Sequence, residues 1–327
     1  MKMIERRYTV RFLTPAFLGD ALQNARWRTP PFKHLLREWW RVAYAAEHGF
    51  RIRVPDMRRE EGLLFGNAWL DGEYNKSKVR IRLETPNGVP TQAWIRGKQK
   101  GVAPLSTGLD TSYAWFGLAK RGGNLPDRTA IKADDKEGVR VLCAAYTDEM
   151  DGRMKEIMRL IDAFGLLGSR SRGGWGALHV EGIEPLGAQE IRRYARPLDQ
   201  CLQHDWAMSL AVDNQGLCVW QSQSRFKSWS DAMRSVASLR KAVRTKLKNV
   251  ERKDLRQALG FAGKGRMPSP LRWKIVPDSN GLFIRVFAMP HKLPADSGAS
   301  MSDENLKLAW KTVCKALDTA GALQRVS

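Results

Sequence analysis

The chain has 327 residues, of which 43% are hydrophobic and 27% charged, a composition that excludes a disordered chain and suffices for about two domains. Its 55 lysines and arginines exceed its 34 aspartates and glutamates, which gives a formal net charge of +21. A positive charge of this size favours a polyanionic partner, either a nucleic acid or an anionic membrane surface.

The membrane alternative finds no support in the hydropathy pattern. No apolar run approaches the roughly 18 residues that a membrane-spanning helix needs, and residues 1–10 lack the apolar centre of a signal peptide. We therefore expect a cytoplasmic protein with no membrane partner. The four cysteines show no CxxC spacing, so neither a disulfide framework nor a cysteine-rich zinc site is predicted, and no cofactor is expected; they are Cys143, Cys201, Cys218 and Cys314.

The first half of the chain has the pattern of an α+β domain. Apolar and charged residues alternate over 7–13, which predicts a strand, and a proline pair opens an amphipathic helix over 31–47. Lys33, Arg37 and Arg41 follow at steps of four and form a basic stripe on this helix. Further strands are predicted at 77–84, 138–146 and 177–183, with a helix at 153–164 and an irregular insertion at about 86–130.

This order, β-α-β-β-α-β, is that of a ferredoxin-like or RRM-like domain. The second half predicts a hairpin at 206–220, a basic helix at 230–248, a hairpin from 271–276 and 282–289, and a helix at 303–319. It looks like a second copy that lacks its last strand. The predicted fold class is therefore α+β, with two tandem ferredoxin-like (RRM-like) domains at 1–190 and 206–327, joined by a linker at 191–205.

A glycine-rich loop at 165–176 is the most informative segment. Five of its twelve residues are glycine, and Arg170 and Arg172 lie among them. Such a loop brings backbone N–H groups and guanidinium groups to an anion, which favours binding of a phosphate backbone. It lacks the Gly-Lys-Ser/Thr end of a Walker loop, and it follows a helix and precedes a strand, which is the reverse of a dinucleotide-binding loop. The structural alternative is a helix C-terminal cap followed by a turn.

Tryptophans beside cations are a second feature of the sequence. The chain has 12 tryptophans, and several lie next to arginine or lysine, as in Arg26-Trp27-Arg28. Bases of single-stranded nucleic acid stack on aromatic rings while cations pair with the phosphates. The structural alternative, which we favour for any single tryptophan, is a core residue flanked by solvated charges.

Four segments carry a resemblance to a known family. The segments 14–19 (TPAFLG), 31–41 (PFKHLLREWWR), 64–66 (LFG) and 168–176 (GSRSRGGWG) resemble the RAMP superfamily of CRISPR proteins. More narrowly, the block at 14–41 resembles the first RAMP subunit of the type III-B effector, the Cmr complex. Asp20 departs from the pattern, since a second glycine or small residue is expected there.

The resemblance implies a non-catalytic, RNA-binding subunit in antiviral defence. It implies contact with the guide RNA (crRNA) near its 3′ end, with the target RNA and with other RAMP subunits of the complex. Together with the basic stripe and the glycine loop, it identifies the predicted RNA-binding residues as Arg26, Arg28, Lys33, Arg37, Arg41, Gly168, Arg170, Arg172, Gly173, Gly174, Trp175 and Gly176.

Two alternatives remain open at this stage. In a CRISPR repeat endoribonuclease of the same superfamily, His34 would act as the acid or base, or Asp20 would hold a metal for cleavage. In a mainly structural assembly subunit, the segment 221–275 would dock an acidic partner, because it carries 15 Lys or Arg against 3 Asp or Glu. Glu60-Glu61 and Asp134-Asp135 are adjacent carboxylates that point apart, so neither pair predicts a metal site.

Overall fold

The structure, a computed structural model, describes residues 2–22, 24–68, 75–85, 91–94, 113–114, 128–133, 140–261, 267–295 and 300–327. The chain divides into two compact units. The N-terminal unit comprises Met1–Ala93, Arg128–Ser169 and Gly176–Gly187, and the C-terminal unit comprises Trp94–Asp127, Arg170–Trp175 and Ala188–Ser327. No helix in the described ranges is both long enough and apolar enough to cross a membrane.

The first half of the chain alternates strands and helices as predicted. Its elements are β1 (Met3–Phe12), α1 (Thr29–Glu47), α2 (Val54–Phe65), β2 (Arg80–Glu84), β3 (Thr91–Trp94), β4 (Arg128–Ile131), β5 (Val141–Thr147), α3 (Asp151–Phe164) and β6 (Leu178–Val180). Four of these strands form one sheet in the order β2-β5-β1-β6, and every neighbouring pair is antiparallel.

Strand β1 lies between β5 and β6 in this sheet, and one of its faces is buried. Val10 and Phe12 are fully buried, whereas Arg7 faces solvent. Tyr8 is paired with Leu142 on β5, and Val10 with Val180 on β6. The period-two alternation therefore determines which side of the sheet meets the core.

Helices α1 and α3 form the other layer of the N-terminal core. Trp39 of α1 stacks on Phe164 at the end of α3, with ring centroids 5.5 Å apart, and both rings are completely buried. Pro30 and Pro31 occupy the first turn of α1, where the missing N–H group costs no hydrogen bond.

Two features of the N-terminal unit differ from the sequence prediction. Helix α2 was not predicted, because four consecutive charged residues at 58–61 interrupt its apolar pattern. Within the predicted irregular insertion, β3 and β4 pair as a two-stranded sheet. Most of that insertion, and the pair Asp134-Asp135, lie outside the described residues.

The C-terminal unit repeats the arrangement of the first sheet. Its elements are α4 (Ala188–Arg192), β7 (Ala195–Pro197), α5 (Leu198–Cys201), β8 (Leu210–Asp213), β9 (Gly216–Leu217), β10 (Val219–Ser222), α6 (Trp229–Lys246), β11 (Leu271–Asp278), β12 (Gly281–Ala288), α7 (Asp303–Asp318) and β13 (Leu323–Arg325). The four-stranded sheet has the order β11-β12-β10-β13 and is antiparallel. A mixed α+β fold with antiparallel sheets is thus confirmed.

Three predictions for this half need correction. The second copy does not lack its last strand: Leu323–Arg325 pairs with β10, but three residues are too few to show a periodic pattern. The predicted hairpin at 206–220 is divided, because β8 and β9 form a hairpin and β10 joins the main sheet. The segment 191–205, predicted to be a linker, contains strand β7, which pairs in parallel with β8.

The buried tryptophan of α1 gives a test of the N-terminal core. Trp39→Ala is expected to lower the free energy of unfolding of this unit by about 3–5 kcal/mol, because it removes a buried ring and leaves a cavity. Calorimetric melting measures the change. Leu22→Ala is the control, since Leu22 is 77% exposed; a similar loss in both variants would contradict the role of Trp39.

Candidate nucleic-acid interface

Asp20 closes the loop that follows β1. Its Oδ1 atom accepts hydrogen bonds from the backbone N–H groups of Leu22 and Asn24, at 2.9 and 3.0 Å. Its Oδ2 atom lies 2.8 Å from Nε of Arg26. The hydrogen bond from the Asn24 N–H group is the largest cause that lowers the pKa of this carboxyl group. The Leu22 N–H group and the charge of Arg26 lower it further, while desolvation opposes the shift. Both carboxylate oxygens therefore hold the loop.

The same loop presents two arginines to solvent. Arg26 and Arg28 are both exposed, and Arg28 donates a hydrogen bond from Nη2 to the Gly19 carbonyl oxygen over 2.8 Å. Trp27, between them, packs edge-on against Phe12 and Phe32, with ring centroids 5.9 and 4.7 Å apart. In this cation–aromatic–cation triplet the two arginines are exposed, whereas Trp27 is half-buried and packs on two core rings.

Lys33 and His34 lie in the first two turns of α1. Lys33 is half-buried, and burial, together with the charge of Arg37, lowers the pKa of its ammonium group. Within the described ranges no carboxylate pairs with Lys33. His34 is exposed, and no described side chain hydrogen-bonds to its ring or orients it, as a base in a catalytic site would require.

Arg37 and Arg41, the rest of the predicted basic stripe, are held by a carboxylate from α2. Arg37 donates from Nε to Glu61 Oε1 over 2.5 Å, and Arg41 donates from Nε and Nη2 over 2.9 and 2.8 Å. The Glu61 side chain is only 2% exposed. These two arginines join α1 to α2, and the buried carboxylate cancels part of their charge.

The neighbouring Glu60 also contacts α1, but through a neutral partner. Its carboxylate accepts a hydrogen bond from the Tyr44 hydroxyl group at 3.1 Å. Burial, aided by this hydrogen bond, raises the pKa of Tyr44 to about 12. The two adjacent carboxylates thus have separate structural partners, as their divergence predicts.

Glu61→Gln is expected to destabilise the N-terminal unit by about 2 kcal/mol, because it leaves two neighbouring guanidinium groups without their shared anion. Thermal or urea unfolding measures the loss. Glu60→Gln is the matched control, since an amide oxygen still accepts the hydrogen bond of Tyr44. Equal stability of the two variants would show that Glu61 does not join the helices.

The ends of the glycine-rich loop pack against the backbone of the N-terminal unit. Gly168 has φ +93°, and a β-carbon there would lie 2.8 Å from the Phe17 carbonyl oxygen. Gly176 has φ +61°, and its β-carbon would lie 1.8 Å from the Leu167 carbonyl oxygen. Backbone hydrogen bonds join Leu167 to Gly176, and Gly176 to Pro15. Both glycines are required by this close approach.

The central residues of the loop belong to the C-terminal unit and lie along strand β11. The Arg172 carbonyl oxygen accepts a hydrogen bond from the Trp273 N–H group at 3.1 Å, and Gly173 forms a parallel bridge with Trp273. Arg172 also donates from Nη1 to the Ser269 carbonyl oxygen over 3.1 Å. This segment covers the edge of the second sheet, as a strand would.

Only part of the central loop faces solvent. Trp175 is 1% exposed and donates from Nε1 to the Ala114 carbonyl oxygen over 2.9 Å. Gly173 and Gly174 are buried, whereas Arg170 is exposed with φ +58°. Trp175 is therefore a core residue in this structure, and Arg170 is the more exposed of the two loop arginines.

Alanine substitutions at Gly176, Gly168 and Gly182 are expected to give a graded series of stabilities. Gly176→Ala is expected to destabilise the N-terminal unit by more than about 4 kcal/mol or to prevent folding, because the backbone must move. Gly168→Ala should cost less. Gly182→Ala is the control for backbone strain alone, at about 1 kcal/mol, since φ is +70° but nothing lies within 4 Å of its β-carbon. Melting temperatures in any other order would contradict the steric argument.

Two of the four cysteines lie beside a carboxylate. All four are buried and free. Among the described residues one group of possible ligands comes together, namely Asp213, Cys218 and Cys314. Asp213 is paired with Arg325, with Nη1 2.5 Å from Oδ1. The hydrogen bond from Cys314, together with burial, raises the pKa of the Cys218 thiol. The carboxylate and the two thiols of this group therefore have partners within the protein.

Comparison with solved structures reveals the fold of the chain as a whole. The structure is similar to the apo crystal structure of Cmr1 from Pyrococcus furiosus, with a TM-score of 0.54 and 18% identity, over 95% of this chain and 97% of that one. It is also similar to a chain in the cryo-EM structure of the type III-B Cmr-beta bound to cognate target RNA, with a TM-score of 0.50 and 11% identity, over 96% and 100% of the two chains. At these identities the likeness shows the fold alone.

A chain in the Cmr-beta structure with target RNA, AMPPnP and ssDNA gives the same TM-score of 0.50 and 11% identity, over 96% of this chain and 99% of that one. None of the curated proteins compared matches this sequence. The family model of the RAMP superfamily matches residues 9–179, a range that contains the end of β1, the basic helix α1 and the whole glycine-rich loop. The chain therefore belongs to the RAMP superfamily.

Proposed function

We propose that this protein is an RNA-binding subunit of a type III-B CRISPR effector complex. In this role it contacts the guide RNA (crRNA) near its 3′ end and the target RNA, and assembles with other RAMP subunits in antiviral defence. The observation that carries the proposal is the similarity of fold over nearly the whole of both chains to Cmr1, in a member of the RAMP superfamily with a net charge of +21. A solved relative in this comparison is a Cmr assembly bound to target RNA.

The strand orders support two domains of one type. In each four-stranded sheet, the strand that is fourth in the unit's β-α-β-β-α-β succession lies at one edge, followed by the first, third and second. We infer that both units are ferredoxin-like domains, a fold that RNA-binding proteins of the RRM type also use. A structural duplication of this kind needs no repeat in the sequence.

The charges of the N-terminal unit narrow the set of predicted RNA contacts. Arg26, Arg28 and Lys33 are close together in the chain; the two arginines are exposed and Lys33 is half-buried. Arg26 pairs with Asp20, but its side chain stays 69% exposed. Arg37 and Arg41 share a buried carboxylate, so they contribute less to the attraction of a phosphate. We propose that the first three residues bind the RNA backbone and that the last two position helix α1.

The proposed role is non-catalytic. Asp20 uses both carboxylate oxygens to hold its loop, and that arrangement supports a structural function for the residue. His34 lies on an exposed helix surface, which suits a solvated side chain. We propose that the isolated subunit binds RNA without cleaving it.

Removal of one RNA-facing cation tests the proposed binding. Lys33→Ala is expected to weaken binding of labelled single-stranded RNA several-fold and to reduce the slope of log K against log salt by about one, because one phosphate contact is lost. Lys155→Ala is the matched control: it removes the same charge, but Lys155 is paired with Asp151 at 2.6 Å. Filter binding at several salt concentrations measures both quantities.

Equal effects of the two substitutions would contradict an RNA-binding role for Lys33. The same reactions, incubated with and without Mg²⁺, test for cleavage. Intact RNA is expected in both. Metal-dependent cleavage that disappears in Asp20→Asn, or metal-free cleavage that disappears in His34→Ala, would replace the proposed function by the endoribonuclease alternative.

A further inference from the structure

Helix α6 brings further cations to the glycine-rich loop. It begins after Ser228, whose hydroxyl group accepts a hydrogen bond from the Asp231 N–H group at 3.1 Å. Its apolar face is buried, with Met233 and Val236 among its members. Arg240 and Arg244 are one turn apart and half-buried, so their side chains leave the same side of the helix.

The two central glycines of the loop give α6 room to approach. A β-carbon on Gly173 would lie 2.7 Å from Nη1 of Arg240, and one on Gly174 would lie 2.9 Å from Sδ of Met233. The guanidinium group of Arg240 also lies over the ring of Tyr113, 5.3 Å from its centroid. Arg240 is thus held between the loop backbone and an aromatic ring, a geometry that fixes a guanidinium group in place.

The two charged groups of the described residues that act on Arg240 have the same sign as its own. Burial lowers the pKa of its guanidinium group to about 10; the Tyr113 hydroxyl opposes the shift, while Arg170 and Arg244 add to it. In the described part of the chain no carboxylate forms an ion pair with Arg240. The charge of Arg244 acts on the Asp254 carboxylate, which accepts hydrogen bonds from Arg256.

We propose that Arg170, Arg240 and Arg244 form a phosphate-binding cluster of the C-terminal unit, with Arg240 at its centre, and that an RNA phosphodiester is its ligand. The inference rests on the proposed function and extends it to a site whose main residues lie on α6. Arg170 and Arg244 both act on Arg240 with a charge of like sign, and an anion bound beside Arg240 relieves that repulsion. A phosphate supplies that anion, and its oxygens match the fork of an arginine.

Arg240→Met tests the cluster, because methionine keeps the apolar stem and removes the charge. RNA affinity is expected to fall at least fivefold, and the salt slope to decrease by about one. The melting temperature in phosphate-free buffer should stay the same or rise, since a charge repelled by its neighbours is removed. Arg234→Met is the matched control: it lies on the same helix and is paired with Asp231, so its RNA affinity should remain near that of the unaltered protein.

A fall in RNA affinity no larger than that of Arg234→Met would overturn the cluster while leaving the proposed function intact. A marked fall in the melting temperature of Arg240→Met would also overturn it, because Arg240 would then be a stabilising structural residue. Arg240→Lys separates charge from geometry: partial recovery of affinity is expected.

A second probe keeps the two proposals distinguishable. Inorganic pyrophosphate should raise the melting temperature of the unaltered protein more than that of Arg240→Met, whether or not the isolated subunit holds RNA. Failure of the unaltered protein to bind RNA, with this pyrophosphate difference present, would contradict the proposed function and RNA as the ligand, while supporting a phosphate-binding cluster at Arg240. Binding of polyglutamate that depends on Arg240 as strongly as RNA binding does would assign the cluster to an acidic protein partner and overturn the assignment to phosphate.

Discussion

The close approach of backbone to backbone at the glycine-rich loop is the constraint on which much of the structure depends. At Gly176 the Leu167 carbonyl oxygen occupies the place of a β-carbon, and the neighbouring N–H group bonds to the loop that follows β1. At Gly173 and Gly174 the absent β-carbons admit side chains of α6. Each of these glycines therefore permits close packing. At Gly173 and Gly174, this packing brings residues of α6 next to the loop.

Compensation of charge divides the basic residues into two groups. Glu61 of α2 pairs with Arg37 and Arg41 of α1, so these ion pairs link two helices. Asp231 pairs with Arg234 three residues further along the same helix. Arg240 has like charges beside it instead. Such an arrangement costs stability in the free protein and is offset when an anion binds, which is the pattern expected of a binding site rather than of a structural ion pair.

The confirmed and the missed elements show which helices and strands can be predicted from the periodicity of apolar residues. The strand over 7–13 and the helix over 31–47 were confirmed because each buries one clear apolar stripe. Helix α2 was missed because its buried face includes Glu61, a residue whose burial makes sense only with two arginines beside it. Strand β13 was missed because its three residues owe their conformation to pairing with β10. Tyr113 and Arg240 are far from the glycine-rich loop in sequence, and no local signal connects them to it.

The sequence by itself determined the fold class, the succession of strands and helices, the positive charge and the family resemblance, because these depend on local periodicity, composition and short motifs. Only the tertiary structure decided which cations are available to a ligand. Arg37, Arg41 and Trp175 look like binding residues in the sequence, yet a buried carboxylate holds the first two and the core encloses the third. Burial and ion pairing arise between residues distant in the chain, and the free energy of a charge depends on those neighbours rather than on its own position in the sequence.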